Sequence, residues 1–235
     1  MTTPFLMADC VSKSYGTRRI LSAGSLRAQA GEVRVLLGRN GIGKSTLLKI
    51  AAGIVRADSG TVQLDGHFLL RPSLPRLARA GVFYLPDHDI LSPSMTLGEQ
   101  LRLFERRFGE RSALEAARLA RVEYLLDARP PTLSGGELRR AELALALTRR
   151  PRCLLADEPF RGIAPVDHDF LSDIFRGMAA EGCAVVVTGH EVASLMALAH
   201  HVTWCTSGTT YELGAPERAI QHEAFQREYA IGMRP

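Results

Sequence analysis

The run Gly38-Arg39-Asn40-Gly41-Ile42-Gly43-Lys44-Ser45-Thr46 carries the pattern G-x-x-x-x-G-K-[ST], the P-loop. Its chemistry is phosphate binding. The glycines let the backbone curl so that successive N–H groups point at a polyphosphate, and the N-terminus of the following helix adds positive dipole. Lys44 is expected to reach the β- and γ-phosphates, and the Ser45 hydroxyl to sit on Mg²⁺. A second candidate is Asp157-Glu158, two carboxylates that end the apolar run Cys153-Leu154-Leu155-Ala156. At the carboxyl edge of a strand beside a P-loop, Asp157 can hold Mg²⁺ through water while Glu158 polarises an attacking water. Together these residues imply a nucleoside triphosphate as ligand.

The elements that must position them follow from local pattern. Val33-Arg34-Val35-Leu36-Leu37 reads as a buried strand leading into the P-loop, and Thr46 to Ala52 as the helix leaving it, stopped at Gly53. Leu6–Ser14 and Thr61–Leu64 read as strands, the latter before an Asp65-Gly66 hairpin turn. From Thr96 to Leu147 helix formers dominate, with a helix expected over Ser112–Leu126 and an interruption at Pro130-Pro131. Cys153–Ala156 and Ala184–Thr188 are apolar enough for parallel strands buried on both faces. Between them Phe170, Ile174, Phe175 and Met178 fall on one helical face that Gly182 can end. Ser134-Gly135-Gly136-Glu137 has the form of a capping box; two glycines at a helix start also leave bare N–H groups for an anion.

Composition sets limits. The chain has 235 residues, 46% apolar and 23% charged, with a net charge of +4, which is ordinary for a globular domain with its own core. Lys and Arg are scattered rather than gathered in a basic arm, so a nucleic-acid partner is not expected. Cys10, Cys153, Cys183 and Cys205 lack metal-site spacing and read as reduced thiols. No signal peptide or membrane-spanning run is expected, so any work at a membrane requires a partner.

With these motifs in place the chain resembles the ATP-binding-cassette ATPases, and within them the branch of lipopolysaccharide-export and branched-chain amino-acid-import ATPases. Leu133-Ser134-Gly135-Gly136-Glu137 looks like the family signature, and Tyr84-Leu85-Pro86, Glu158-Pro159-Phe160 and Gly162-Ile163 carry the branch likeness. The resemblance implies an α/β fold: a RecA-like P-loop core over residues 1–86 and 148–235, with an N-terminal antiparallel β subdomain and an inserted α-helical subdomain over 87–147. It implies ATP and Mg²⁺ as ligands, Tyr15 stacking on adenine and His190 touching the γ-phosphate. It also implies that Ser134, Gly135, Gly136 and Glu137 serve the ATP of a second, head-to-tail subunit, either a second copy or a homologous ATPase.

The implied function is the ATP-hydrolysing subunit of a transporter, peripheral on the cytoplasmic face of the membrane through separate transmembrane permease subunits. Leu91–Thr96 would then be the docking groove. The alternative is a soluble energising or regulatory ATPase of the same type, not tied to transport. No guanine-reading Asn-Lys-x-Asp points to a GTPase. Two positions depart from the family pattern. Asp87 stands where a Gln usually touches Mg²⁺ and water, and Ala164 stands where an Asp usually communicates across the dimer.

Overall fold

The computed structural model describes residues 3–88 and 90–229. The chain begins with β1 (Leu6–Tyr15), β2 (Arg18–Ala28) and β3 (Val33–Leu37), followed by α1 (Lys44–Ala51). Next come β4 (Ser59–Leu64), β5 (His67–Phe68), α2 (Leu74–Arg79) and β6 (Val82–Leu85). A helical stretch follows: α3 (Leu97–Phe108), α4 (Ala113–Leu119) and α5 (Gly135–Arg149). The remainder alternates: β7 (Cys153–Ala156), α6 (Pro165–Ala180), β8 (Ala184–Gly189), α7 (Val192–Leu198), β9 (His201–Thr206) and β10 (Thr209–Gly214). Two short helices, α8 (Pro216–Ala219) and α9 (Glu223–Tyr229), close the described chain.

The strands form one sheet in the order β5-β4-β1-β2-β10-β9-β3-β8-β7-β6. Its β9-β3-β8-β7-β6 half is parallel. Its β5-β4-β1-β2 half is antiparallel, and a short β10–β2 pairing joins the two. The parallel strands are buried on both faces, as their apolar runs require. Val33, Val35, Leu37, Leu154, Val185 and Val187 face one core with Phe175 and Leu143. Leu36, Leu155 and Val186 face the other with Leu47 and Leu48 of α1. The architecture is the expected α/β P-loop core with an N-terminal antiparallel β layer and a packed set of helices α3, α4 and α5.

Local differences from expectation have physical causes. The helix expected over Ser112–Leu126 stops at Leu119, where Ala120 is its C-cap and Arg121 takes φ 54°; a short 3₁₀ turn, Glu123–Leu125, follows. The residues 118–126 lack caps that would have announced this break. β2 was not expected because its pairing with β1 is irregular, with register shifts between Ala8 and Ser14 that blur its period-2 pattern. Asp65 and Gly66 both take positive φ, 48° and 76°, as the two central residues of a type I′ hairpin turn must. Among the described residues no helix is long and apolar enough to cross a membrane.

Candidate nucleotide-binding site

Three carboxyl ends lie side by side because β3, β7 and β8 run parallel and adjacent, which is where open α/β sheets bind ligands. The P-loop leaves β3, Asp157-Glu158 follow β7, and His190 follows β8. In the P-loop, Gly43 takes φ 116° and caps α1 with no side-chain hydrogen bond, so the N–H groups of the first turn have no helical acceptor. A Cβ at Gly38 would lie 2.6 Å from the Cys205 carbonyl oxygen, and one at Gly43 2.8 Å from Leu21 Cδ2. At Gly38 the backbone therefore passes closer to a neighbouring carbonyl than a Cβ allows, and at Gly43 the positive φ is what calls for glycine.

Lys44 is buried, only 3% exposed. Its Nζ donates to the carbonyls of Gly38 and Arg39 at 2.8 and 3.0 Å and lies 3.8 Å from Glu158 Oε1. Burial lowers the pKa of this ammonium, although Glu158, Cys205 and Asp157 pull the other way. Two neutral carbonyls are weak company for a buried cation; a polyphosphate is a better one.

Asp157 is fully buried and accepts three hydroxyls. Ser45 Oγ and Thr188 Oγ1 donate to Oδ1 at 3.0 and 2.7 Å, and the Tyr84 hydroxyl donates to Oδ2 at 3.0 Å. Burial, then the Asp157 charge, pushes the Tyr84 hydroxyl well above the usual phenol range, so Tyr84 stays a donor. Thr188 also accepts the Glu158 N–H at 2.9 Å. That bond helps hold Glu158 at φ 43°, a left-handed conformation that costs a non-glycine residue about 1 kcal/mol or more. The Glu158 carboxylate stands between Lys44 and His190, with Oε2 3.9 Å from Nδ1 of the half-exposed imidazole.

A groove of about 290 Å³ runs along the P-loop, lined by Tyr15, Arg18, Ile20, Gly41, Gly43, Lys44, Ser45, Thr46 and Glu158. The structure thus brings Tyr15, the P-loop, Asp157, Glu158 and His190 together. Ser134–Glu137 sit elsewhere. Ser134 caps α5 in a reciprocal box with Glu137, and a Cβ on Gly135 or Gly136 would contact Gly162 or Asp167 rather than the groove. The Ser134 hydroxyl and N–H, then the Tyr124 hydroxyl, hold the Glu137 carboxyl below its ordinary range. The box uses the Glu137 N–H, and those of Gly135 and Gly136, in the first turn, have no helical acceptor.

Asp87 does not join the Ser45–Asp157 cluster. It pairs with Arg161 at 3.3 Å and His88 at 3.2 Å. Burial would raise its carboxyl, but the His88 hydrogen bond, its own backbone N–H and the charges of His88 and Lys49 together hold it down. Ala164 is the exposed N-cap of α6, with no side-chain acceptor for the first turn. Ala164→Asp should supply one, and thermal or denaturant unfolding should show a gain of about 1 kcal/mol.

Sequence reasoning missed Arg18, Ile20 and Thr188, and quoted Tyr84 only for a branch likeness. Thr188 was readable as the only hydroxyl in the buried run Ala184–Gly189, just where β8 reaches the site. Arg18 was readable only with the β1–β2 register in hand.

Comparison with known proteins gives the family and the fold. Residues 21–161 match the family model described as ABC transporter. The lipopolysaccharide export system ATP-binding protein LptB of Escherichia coli is 32% identical over 95% of this chain and 96% of its own. The Nod factor export ATP-binding protein I of Paraburkholderia xenovorans is 36% identical over 92% of this chain and 72% of its own. An ATP-binding cassette of an ABC transporter in its ADP conformation superposes with a TM-score of 0.85 at 22% identity, covering 99% of this chain and 100% of the other. An ATP-bound bacterial Atm1-family exporter gives a TM-score of 0.86 at 20% identity over 100% of this chain and 43% of that one.

Proposed function

This chain belongs to the ATP-binding-cassette transporter family and is an ATPase of that family; we propose that it hydrolyses ATP between two head-to-tail subunits to energise separate transmembrane partners. The observation that carries this reading is the division of donors between two surfaces. The P-loop, Lys44 and Glu158 line one groove, with Asp157 bonded to Ser45 beneath it and His190 beside Glu158, while the Ser134–Gly136 helix start lies against Gly162 and Asp167. A second subunit can present that helix start to the γ-phosphate, and isologous two-fold pairing presents both at once.

In this reading the adenine stacks on Tyr15 and the phosphates follow the bare N–H groups of Gly41 to Thr46. Lys44 exchanges two carbonyls for phosphate oxygens. Ser45 and Asp157 form an all-oxygen donor pair of the kind Mg²⁺ prefers. An ion held by these two residues would supply positive charge to offset that of the phosphates. Glu158 accepts the proton of the attacking water as general base, and Lys44 and His190 flank its carboxylate. Asp87 is committed to Arg161 and His88, so it contributes to the ion only after releasing Arg161.

The core over 1–86 and 148–235 carries the nucleotide, and the helical unit over 87–147 carries the readout. Leu91–Thr96 is the docking groove for the permease. It is stiff: Gln100 accepts the Ser92 N–H and donates to the Ser92 and Met95 carbonyls, and Thr96 closes it with a capping box. The protein works on the cytoplasmic face through that partner. Export relatives favour transport over a soluble, transport-free ATPase.

Subunit complementation tests the shared site. Lys44→Met and Gly136→Arg are each inactive alone; mixed, they regain up to about a quarter of wild-type rate, because half the dimers are mixed and each keeps one intact site of two. A mixture as inactive as its components contradicts head-to-tail sharing.

A further inference from the structure

The tip of the β1–β2 hairpin carries a cation that the mechanism above leaves unused. Tyr15 and Arg18 are directly opposed across the two-residue turn Gly16-Thr17, in which Gly16 takes φ 59° at the position where such hairpin turns call for it. Directly opposed residues share one face of the ribbon, and both line the groove with Lys44, Ser45 and Thr46. Strand alternation puts Arg19 on the other face. The remaining cations there are already engaged. Lys13, 5.6 Å from the Tyr15 ring centre, is bonded to Asp58 at 2.8 Å. Lys44 is held by two carbonyls and faces Glu158. Arg18 is exposed, and among the described residues no acidic side chain pairs with it.

We infer that Arg18 is a nucleotide-binding residue that grips the α-phosphate end of the nucleotide, beside the base held by Tyr15. This rests on the groove being the nucleotide site. Lys44, Glu158 and His190 mark the γ-phosphate end, and Arg18 stands at the Tyr15 end, where the α-phosphate is the nearest anion. A guanidinium there meets the same oxygens in ATP and ADP, so it strengthens both equally and adds binding rather than discrimination. The contact is solvent-exposed and ionic, so salt weakens it.

The test is calorimetric titration of the full chain with MgATP, in a Glu158→Gln background, and with MgADP, at low and high salt. Arg18→Ala should weaken both nucleotides by about three- to fivefold, flatten the salt dependence, and be largely rescued by Arg18→Lys. Affinities within twofold of the parent, or a loss confined to ATP, overturn the assignment. Lys44→Met separates the two levels of the claim. If it loses nucleotide while Arg18→Ala does not, only the Arg18 role fails; if it binds as the parent does, the groove itself is not the site.

Discussion

Glu158→Gln removes turnover while leaving nucleotide binding in place. Gln has nearly the shape of Glu, so the backbone at φ 43° and its N–H bond to Thr188 are kept. What is lost is the base that takes the water's proton, for which a fall of about 10³-fold in phosphate release is expected. The variant still binds ATP, because the P-loop N–H groups, Lys44, Ser45 and Asp157 are untouched. Removing one negative charge 3.8 Å from Lys44 also favours a triphosphate nearby. Phosphate release under single-turnover conditions, beside an independent binding titration, checks both halves. Hydrolysis within a few-fold of wild type means that Glu158 is not the base.

Lys44→Met has the second large effect, and it splits binding from stability. Two charge-assisted contacts to phosphate contribute about 3 kcal/mol together, so ATP affinity should fall by more than a hundredfold. The nucleotide-free fold should not suffer. Burial lowers the Lys44 pKa, which means the charged form is worse placed in the folded chain than in the unfolded one. Below the lowered folded value that penalty is present in full. As pH rises from there towards the unfolded lysine range, the unfolded chain binds more protons and wild type gains stability. Lys44→Met lacks both the penalty and this gain. Its melting temperature without ATP at neutral pH should equal or exceed that of wild type, and the difference should shrink as pH rises. ATP should raise the melting temperature of wild type only. A variant that melts well below wild type without ligand would show that the Lys44–carbonyl bonds are structural.

The local signals in the sequence were strong wherever chemistry dictates residue type. Gly38, Gly43, Lys44 and Ser45 could be placed before any fold was known, because cradling a phosphate dictates glycines where the backbone curls, a lysine for the anion and a hydroxyl for its metal ion. The near-continuous apolarity of Cys153–Ala156 and Ala184–Thr188 likewise announced strands covered on both faces. The Ser134–Glu137 box was visible because a cap is a local event. What stayed hidden depends on partners distant in the chain. Thr188 matters because parallel pairing sets it against Asp157. Arg161 was no candidate until it met Asp87 across the site, so the consequence of that departure from the family pattern could not be read from residue 87 alone. Arg18 required the register of an irregular hairpin. Membership of the family was legible; the pairing of its exceptions was not.

The central claim is a triphosphate held between two subunits, and the oligomeric state of Glu158→Gln measures it directly. By light scattering after gel filtration, this variant should be a dimer in saturating ATP and Mg²⁺, and a monomer in ADP and Mg²⁺ or when Lys44→Met is added. The difference arises because only an intact γ-phosphate can bridge the P-loop of one subunit to the Ser134–Gly136 helix start of the other. A Glu158→Gln chain that binds ATP and remains a monomer, alone and with its membrane partner, would contradict the account.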